Sequence, residues 1–311
     1  MPDVIASTVP LVSILAPAKL NLMLHIVGRR DDGYHELQTL FQLLDYADQL
    51  DFYPAPITQT QLLDIHMSGP LARTQDLMNL PLQNNIVYRA AQALYQAGLV
   101  RGIAPDSMQK LVVHLHKKIP SGGGLGGGSA NAAATLIALN QLWGLQFSTT
   151  ELASIGLSLG ADVPVFVHGR NAWAQGIGED LTFVNLATQS FLVLHPGCQV
   201  ATGRVFQHPN LTRSSPKITM RTALEQGGEN ACQALVCHLY PKVKLALDLL
   251  TQISLANQGC PARLTGTGAC VFAAFAHQTQ AQAGLSLLAK TLANSGLDEQ
   301  ACTYFVAQGK A

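Results

Sequence analysis

The segment IPSGGGLGGGSAN (119–131) places six glycines among thirteen residues. Three roles compete for such a run: a flexible linker, a dinucleotide fingerprint and a phosphate cradle. Its flanks narrow the choice. LVVHLHKKI (111–119) reads as a strand, and SANAAATLIALNQLWG (129–144) as an alanine-rich helix capped by Ser129. A linker belongs between domains, not between a strand and a helix. Glycines let backbone N–H groups approach an anion, and a helix N-terminus adds positive potential. Six glycines also cost more backbone entropy than a plain turn requires. Phosphate binding is the expectation.

A Walker A loop ends in Gly-Lys-Ser/Thr, but here Gly128 precedes Ser129 and Ala130. A GxGxxG match exists at Gly122, Gly124 and Gly127. A dinucleotide site also wants an acidic residue about 20 positions on, at the end of a second strand. FSTTELAS occupies that region and reads as a turn and a helix start.

The chain has 311 residues, 48% of them apolar, and 19 basic against 19 acidic side chains. A sizeable core is expected, while a charge footprint for nucleic acid is missing. The stretch VIASTVPLVSILAPA (4–18) ends like a signal cleavage site but lacks a basic start, so it reads as a strand. No run reaches the ~18 apolar residues of a membrane helix. The expectation is a cytoplasmic protein with no membrane or nucleic-acid partner. Six cysteines, with no CxxC pair, read as buried free thiols.

LVSILAPAKLNLMLHIVG (11–28) reads as a strand, with Leu20, Leu22, Leu24 and Ile26 on one face and Lys19, Asn21, Met23 and His25 on a polar one. RRDDGYH (29–35) is a loop. Residues 36–55 read as one or two strands broken near Asp48, and 60–69 as another strand. NNIVYRAAQALYQAG (84–98) reads as a helix stopped by Gly98, and STTELASIGLSLG (148–160) as a helix with a Ser148–Glu151 capping box. The second half mixes strands with helices, and GCPARLTGTGACVFAAF (259–275) reads as strand, glycine turn, strand. The class is α+β, with an N-terminal domain over 1–170 and a C-terminal domain over 171–311.

The proline-led glycine loop opening a helix resembles that of the GHMP kinases. PAKLNLMLHIVGRRDDGYHELQTLFQLLDYAD (17–48), GADVPVFVHG (160–169) and RLTGTGACVFA (263–273) extend the likeness in matching order. They resemble the branch that phosphorylates a cytidine diphosphate-linked alcohol for non-mevalonate isoprenoid synthesis. Homoserine and mevalonate kinase types are the alternatives within the superfamily. The resemblance implies a ribosomal-S5-like ATP domain, a second α+β domain, an active site in the cleft between them, and ATP used with Mg2+.

By that resemblance Asp162 is the general base and Lys19 its cationic partner. Pro120, Ser121, Gly122, Gly123, Gly124, Leu125, Gly126, Gly127, Gly128, Ser129 and Ala130 form the ATP phosphate loop. Asn85, Ile86 and Lys117 lie near the adenine. Tyr34, His35 and Phe206 hold a cytosine, and Asn21, Phe41 and Thr202 are further substrate-side candidates. The glycine turn at 265–269 is either a phosphate-lining segment or a hairpin turn. Two departures from the family stand out. Ala130 replaces an expected second serine, leaving Ser129 as the one metal candidate of the motif. In GGENACQAL (227–235), Ala231 and Gln233 replace acids, so Asn230 receives no role.

Overall fold

The computed structural model describes residues 9–56, 58–72 and 81–311. Residues 4–8 of the expected first strand lie outside them. The chain forms two compact units, neither continuous in sequence. One holds Met1–Ala18, Ala47–Ile119 and Gly127–Gly169; the other holds Lys19–Tyr46, Pro120–Gly126 and Arg170–Ala311. The chain thus changes unit at 169/170, and also within the first two strands and on both sides of residues 120–126.

In the first unit, β2 (His35–Pro54) pairs antiparallel through Gln49–Pro54 with β4 (Leu111–His116). β4 pairs parallel with β3 (Leu63–Ser68). A parallel pair needs a long crossover, and α1 (Ile86–Val100) lies on it. Asn85 starts α1 by accepting the Val87 N–H at 3.0 Å. The helix does not stop at Gly98. A Cβ there would lie 2.7 Å from the Met108 sulfur, so this glycine serves close packing and the helix runs two residues further.

α2 (Gly127–Leu142) begins two residues before Ser129, which therefore sits in the first turn and is not the cap. Its alanines are buried all round, as expected of a helix inside a core. α3 (Thr149–Leu157) carries the expected Ser148–Glu151 capping box, and α4 (Val163–His168) packs on α2 and α3.

In the second unit, β7 (Ser190–His195), β8 (Arg263–Leu264), β9 (Val271–Phe275) and β10 (Thr303–Gln308) form an antiparallel sheet in the order β10-β7-β9-β8. Leu192 and Leu194 join Val271, Ala273 and Phe275 in one core, while Phe191 and Phe272 meet edge to face at 6.0 Å. The two sets follow the period-2 alternation of strands. The early part of β2 pairs with β5 (Ala172–Gln175), which pairs with β6 (Asp180–Phe183). Helices α5 (Thr202–Gln207), α6 (Met220–Gln226), α7 (Gln233–Leu239), α8 (Pro241–Ala256) and α9 (Gln278–Thr291) complete the unit.

The polar-face residues Lys19, Asn21, Met23 and His25 of β1 (Val12–Arg29) are all buried. Two expectations need correction. β2 runs unbroken through Asp48, which is fully buried. The cysteines are unpaired, but only Cys232 and Cys270 are buried, and Cys260 is exposed. Burial pushes the Cys232 thiol up to about 12.

Candidate active site

The glycine run is divided between the two units, and each part has its own reason for glycine. In the second unit, Gly122 and Gly124 adopt φ of +66° and +75°. A Cβ on Gly124 would fall 2.2 Å from the Thr265 carbonyl oxygen, and one on Gly123 would fall 2.7 Å from the Cys270 sulfur. The loop therefore lies directly on the 265–270 turn. The Ala269 and Cys270 N–H groups donate to the Gly122 and Gly123 carbonyls at 3.2 and 3.0 Å. Gly268 N–H closes the turn onto Thr265 at 2.9 Å. The turn is a hairpin connection that spends these three donors internally, so they do not line a phosphate site.

Asn230 and Gln233, at the start of α7, hold this turn. Asn230 Nδ2 donates to the Leu264 and Gly266 carbonyls at 2.9 and 2.8 Å, and its Oδ1 accepts the Cys232 N–H. Gln233 Oε1 accepts the Leu264 N–H at 2.9 Å. A neutral amide at 233 does this as well as a carboxylate would. Asn230→Ala is expected to cost about 1–3 kcal/mol through unsatisfied buried groups, whereas Gln233→Glu, which keeps the acceptor, is expected to stay within about 1 kcal/mol. Urea midpoints check both; equal losses would remove the distinction.

Lys19 is buried over the Phe41 ring at 5.5 Å. Its Nζ donates to Asn21 Oδ1 at 2.5 Å and to the Gly124 carbonyl at 3.0 Å. Asn21 is fixed in turn: Nδ2 donates to Thr39 Oγ1 at 2.8 Å, and its N–H donates to Thr265 Oγ1 at 3.0 Å. Thus Lys19, Asn21, the glycine loop and the turn form one hydrogen-bonded assembly. Phe41 is buried and offers its ring to the lysine. Beneath Gly123, burial holds His195 down to about 4, so this floor carries no charge at neutral pH.

A second group of predicted residues gathers at the start of β2. His35 and Phe206 have ring centroids 5.1 Å apart, and Tyr34 is 61% exposed. A large aromatic so exposed, next in sequence to His35, is unusual for a residue that merely fills a core. Thr202 is exposed, and its hydroxyl pairs with that of Thr267 at 2.9 Å.

The first unit carries the rest. Gly127, Gly128 and Ser129 form the opening turn of α2, whose leading N–H groups lack intrahelical acceptors. Gly127 is tightly packed: a Cβ would fall 2.9 Å from Ile119 and 3.2 Å from Lys117 Nζ. Ile86 lies beside Gly128. Pro120, of the other unit, and Ala130 are buried, as is Leu125; a serine at 130 would point its hydroxyl into protein. Lys117 is buried and bonded to Asp48, whose other oxygen accepts the Lys118 and Ile119 N–H groups at 2.7 and 2.8 Å. The sequence reading missed Asp48 as an anchor. LLDYADQLDFY carries three acids, Asp45, Asp48 and Asp51, and nothing local marks the middle one.

Asp162 stands at the head of α4 with Pro164 behind it, and makes no capping bond to that helix. Residues 163–167 are all buried, which fixes the backbone that carries the carboxylate. Ser129 Oγ lies 3.8 Å from the position of a Cβ on Gly160, two residues away from Asp162.

Residues 85–170 match the GHMP kinases N terminal domain. A 4-diphosphocytidyl-2-C-methyl-D-erythritol kinase of Shewanella oneidensis is 50% identical over 275 residues, which is 88% of each chain. One from Marinobacter nauticus is 46% identical over 274 residues, covering 87% of this chain and 88% of its own. The chain belongs to this kinase family. A crystal structure of 4-(cytidine 5'-diphospho)-2C-methyl-D-erythritol kinase matches with a TM-score of 0.71 at 30% identity, covering 96% of this chain and all of the other. The Methanococcus jannaschii mevalonate kinase matches at 0.64 with 14% identity, which shows a shared fold alone. The α+β GHMP class is thereby established, as is ATP as the phosphoryl donor of such a kinase. No helix among the described residues is long and apolar enough to cross a membrane.

Proposed function

We propose that this kinase transfers the γ-phosphoryl group of ATP to the 2-hydroxyl of 4-diphosphocytidyl-2-C-methyl-D-erythritol in the cytoplasm. The observation that carries the substrate is the His35 and Phe206 ring pair with the exposed Tyr34 adjoining His35 in sequence, which offers stacking rings and a polar ring edge to a base. Stacking of this kind contributes about 1–3 kcal/mol per base.

Asp162 takes the proton of the attacking hydroxyl. Lys19, pre-set by Asn21 and the Gly124 carbonyl, stabilises charge on the transferring phosphoryl group. The backbone N–H groups at the start of α2 receive phosphate oxygens. Asn85 and Lys117 are engaged with Val87 and Asp48, so their part is to shape the adenine surroundings beside Ile86. Thr202 orients the substrate, and Phe41 acts through Lys19.

Magnesium fits as a passenger of ATP. Among the described residues no group of three or more His, Cys, Asp or Glu side chains stands ready for a metal. Mg2+ is commonly held by substrate phosphates with one or two protein oxygens, and it neutralises phosphate charge when bound. The Ser129 hydroxyl is the residue that would meet it.

The test is incubation with Mg-ATP and a panel of cytidine diphosphate-linked and free alcohols. ADP release is expected only with the cytidylyl methylerythritol. Release with homoserine or mevalonate instead would overturn the substrate and keep the fold.

A further inference from the structure

Arg213 belongs to none of the sequence motifs. It lies in the loop that follows α5, and each of its five N–H donors has an acceptor. Nε donates to His35 Nε2 at 3.0 Å. Nη1 donates to the Pro209 and Leu211 carbonyls at 3.4 and 3.2 Å, and Nη2 to those of Phe206 and His208 at 3.0 and 2.9 Å. An arginine offers five donors in one rigid plane and no acceptor. One planar group therefore ties the end of α5, which bears Phe206, and the loop after it to the start of β2, and helps set the spacing of the His35 and Phe206 rings.

The same bond decides a proton. Guanidinium only donates, so His35 Nε2 must accept. A neutral imidazole with its lone pair at Nε2 carries its hydrogen on Nδ1. A second proton would oppose N–H to N–H. Burial, then the charges of Arg213 and Arg29, hold His35 below its usual range, which keeps the ring neutral at pH 7.

We propose that Arg213 is a specificity-positioning residue: it locks His35 in the Nδ1–H form, so that the ring donates to N3 of a cytosine. Uracil carries a hydrogen at N3 and would meet donor with donor. The inference rests on the cytidine reading above. It adds the device by which one base is told from the other, since a site built around one hydrogen-bond pattern rejects the base that leaves its donor unpaired.

The experiment compares wild type and Arg213→Gln with the cytidine-linked substrate and its uridine analogue. In the variant, KM for the cytidine substrate is expected to rise about tenfold and the cytidine preference to narrow by a similar factor, with kcat and KM for ATP within about twofold. Unchanged cytidine KM and preference would overturn the inference alone. A wild type that does not phosphorylate the cytidine substrate would overturn the functional reading and this inference together. Should the variant not fold, ring 15N shifts of His35 in the wild type decide: hydrogen on Nδ1 is expected, and hydrogen on Nε2 refutes the lock.

Discussion

Asp162→Asn should lower kcat by about 10²–10⁴-fold, the range of a lost general base, while ATP still binds. Asparagine keeps the shape and one acceptor oxygen of the carboxylate but cannot take up the proton of an attacking alcohol. The backbone around it should not move, because Pro164 and the buried residues of α4 hold it and the side chain caps nothing on that helix. The loss should therefore fall on kcat, with ATP affinity by titration within about threefold of wild type, since no ground-state contact to the nucleotide is removed. A variant with near-wild-type turnover would end the assignment of Asp162 as base. A variant that lost ATP affinity instead would make it a nucleotide ligand.

The second large effect is on stability. Asp48→Ala leaves the Lys117 ammonium buried without its carboxylate, and leaves the Lys118 and Ile119 N–H groups without theirs. Breaking one side of a buried pair costs about 3–5 kcal/mol, whereas replacing both sides with apolar groups of similar volume is close to neutral. The urea midpoint should therefore fall sharply in Asp48→Ala and recover in Asp48→Leu/Lys117→Met. A single variant within about 1 kcal/mol of wild type would show that the pair does not hold the entrance to the glycine loop. The same variant should raise KM for ATP, since residues 118 and 119 lead into that loop.

Much of the site is legible along the chain because its chemistry is local. Glycines with positive φ at 122 and 124, the strand before them and the alanine-rich helix after them are consecutive, so backbone freedom and helix propensity are visible without a fold. The Ser148–Glu151 box is likewise a four-residue event. The fold departs from these local rules where tertiary contacts override them. Gly98 looked like a helix stop but is a glycine because Met108 lies against it. A break is expected near Asp48, yet β2 runs through it with the carboxylate buried, because Lys117, 69 residues away, neutralises it.

Residue type and short-range order alone carry the α+β class and mark the glycine loop between strand and helix, while the side chains proposed to react are singled out by family resemblance. What holds all of these in place is visible only in the folded chain. Asn230 and Gln233 acquire their parts by meeting the backbone at 264–266, and Arg213 acquires its part by reaching His35 across 178 positions of chain. Such a hydrogen bond depends on where two donors and acceptors come to rest in space, and neither residue's own neighbourhood records it.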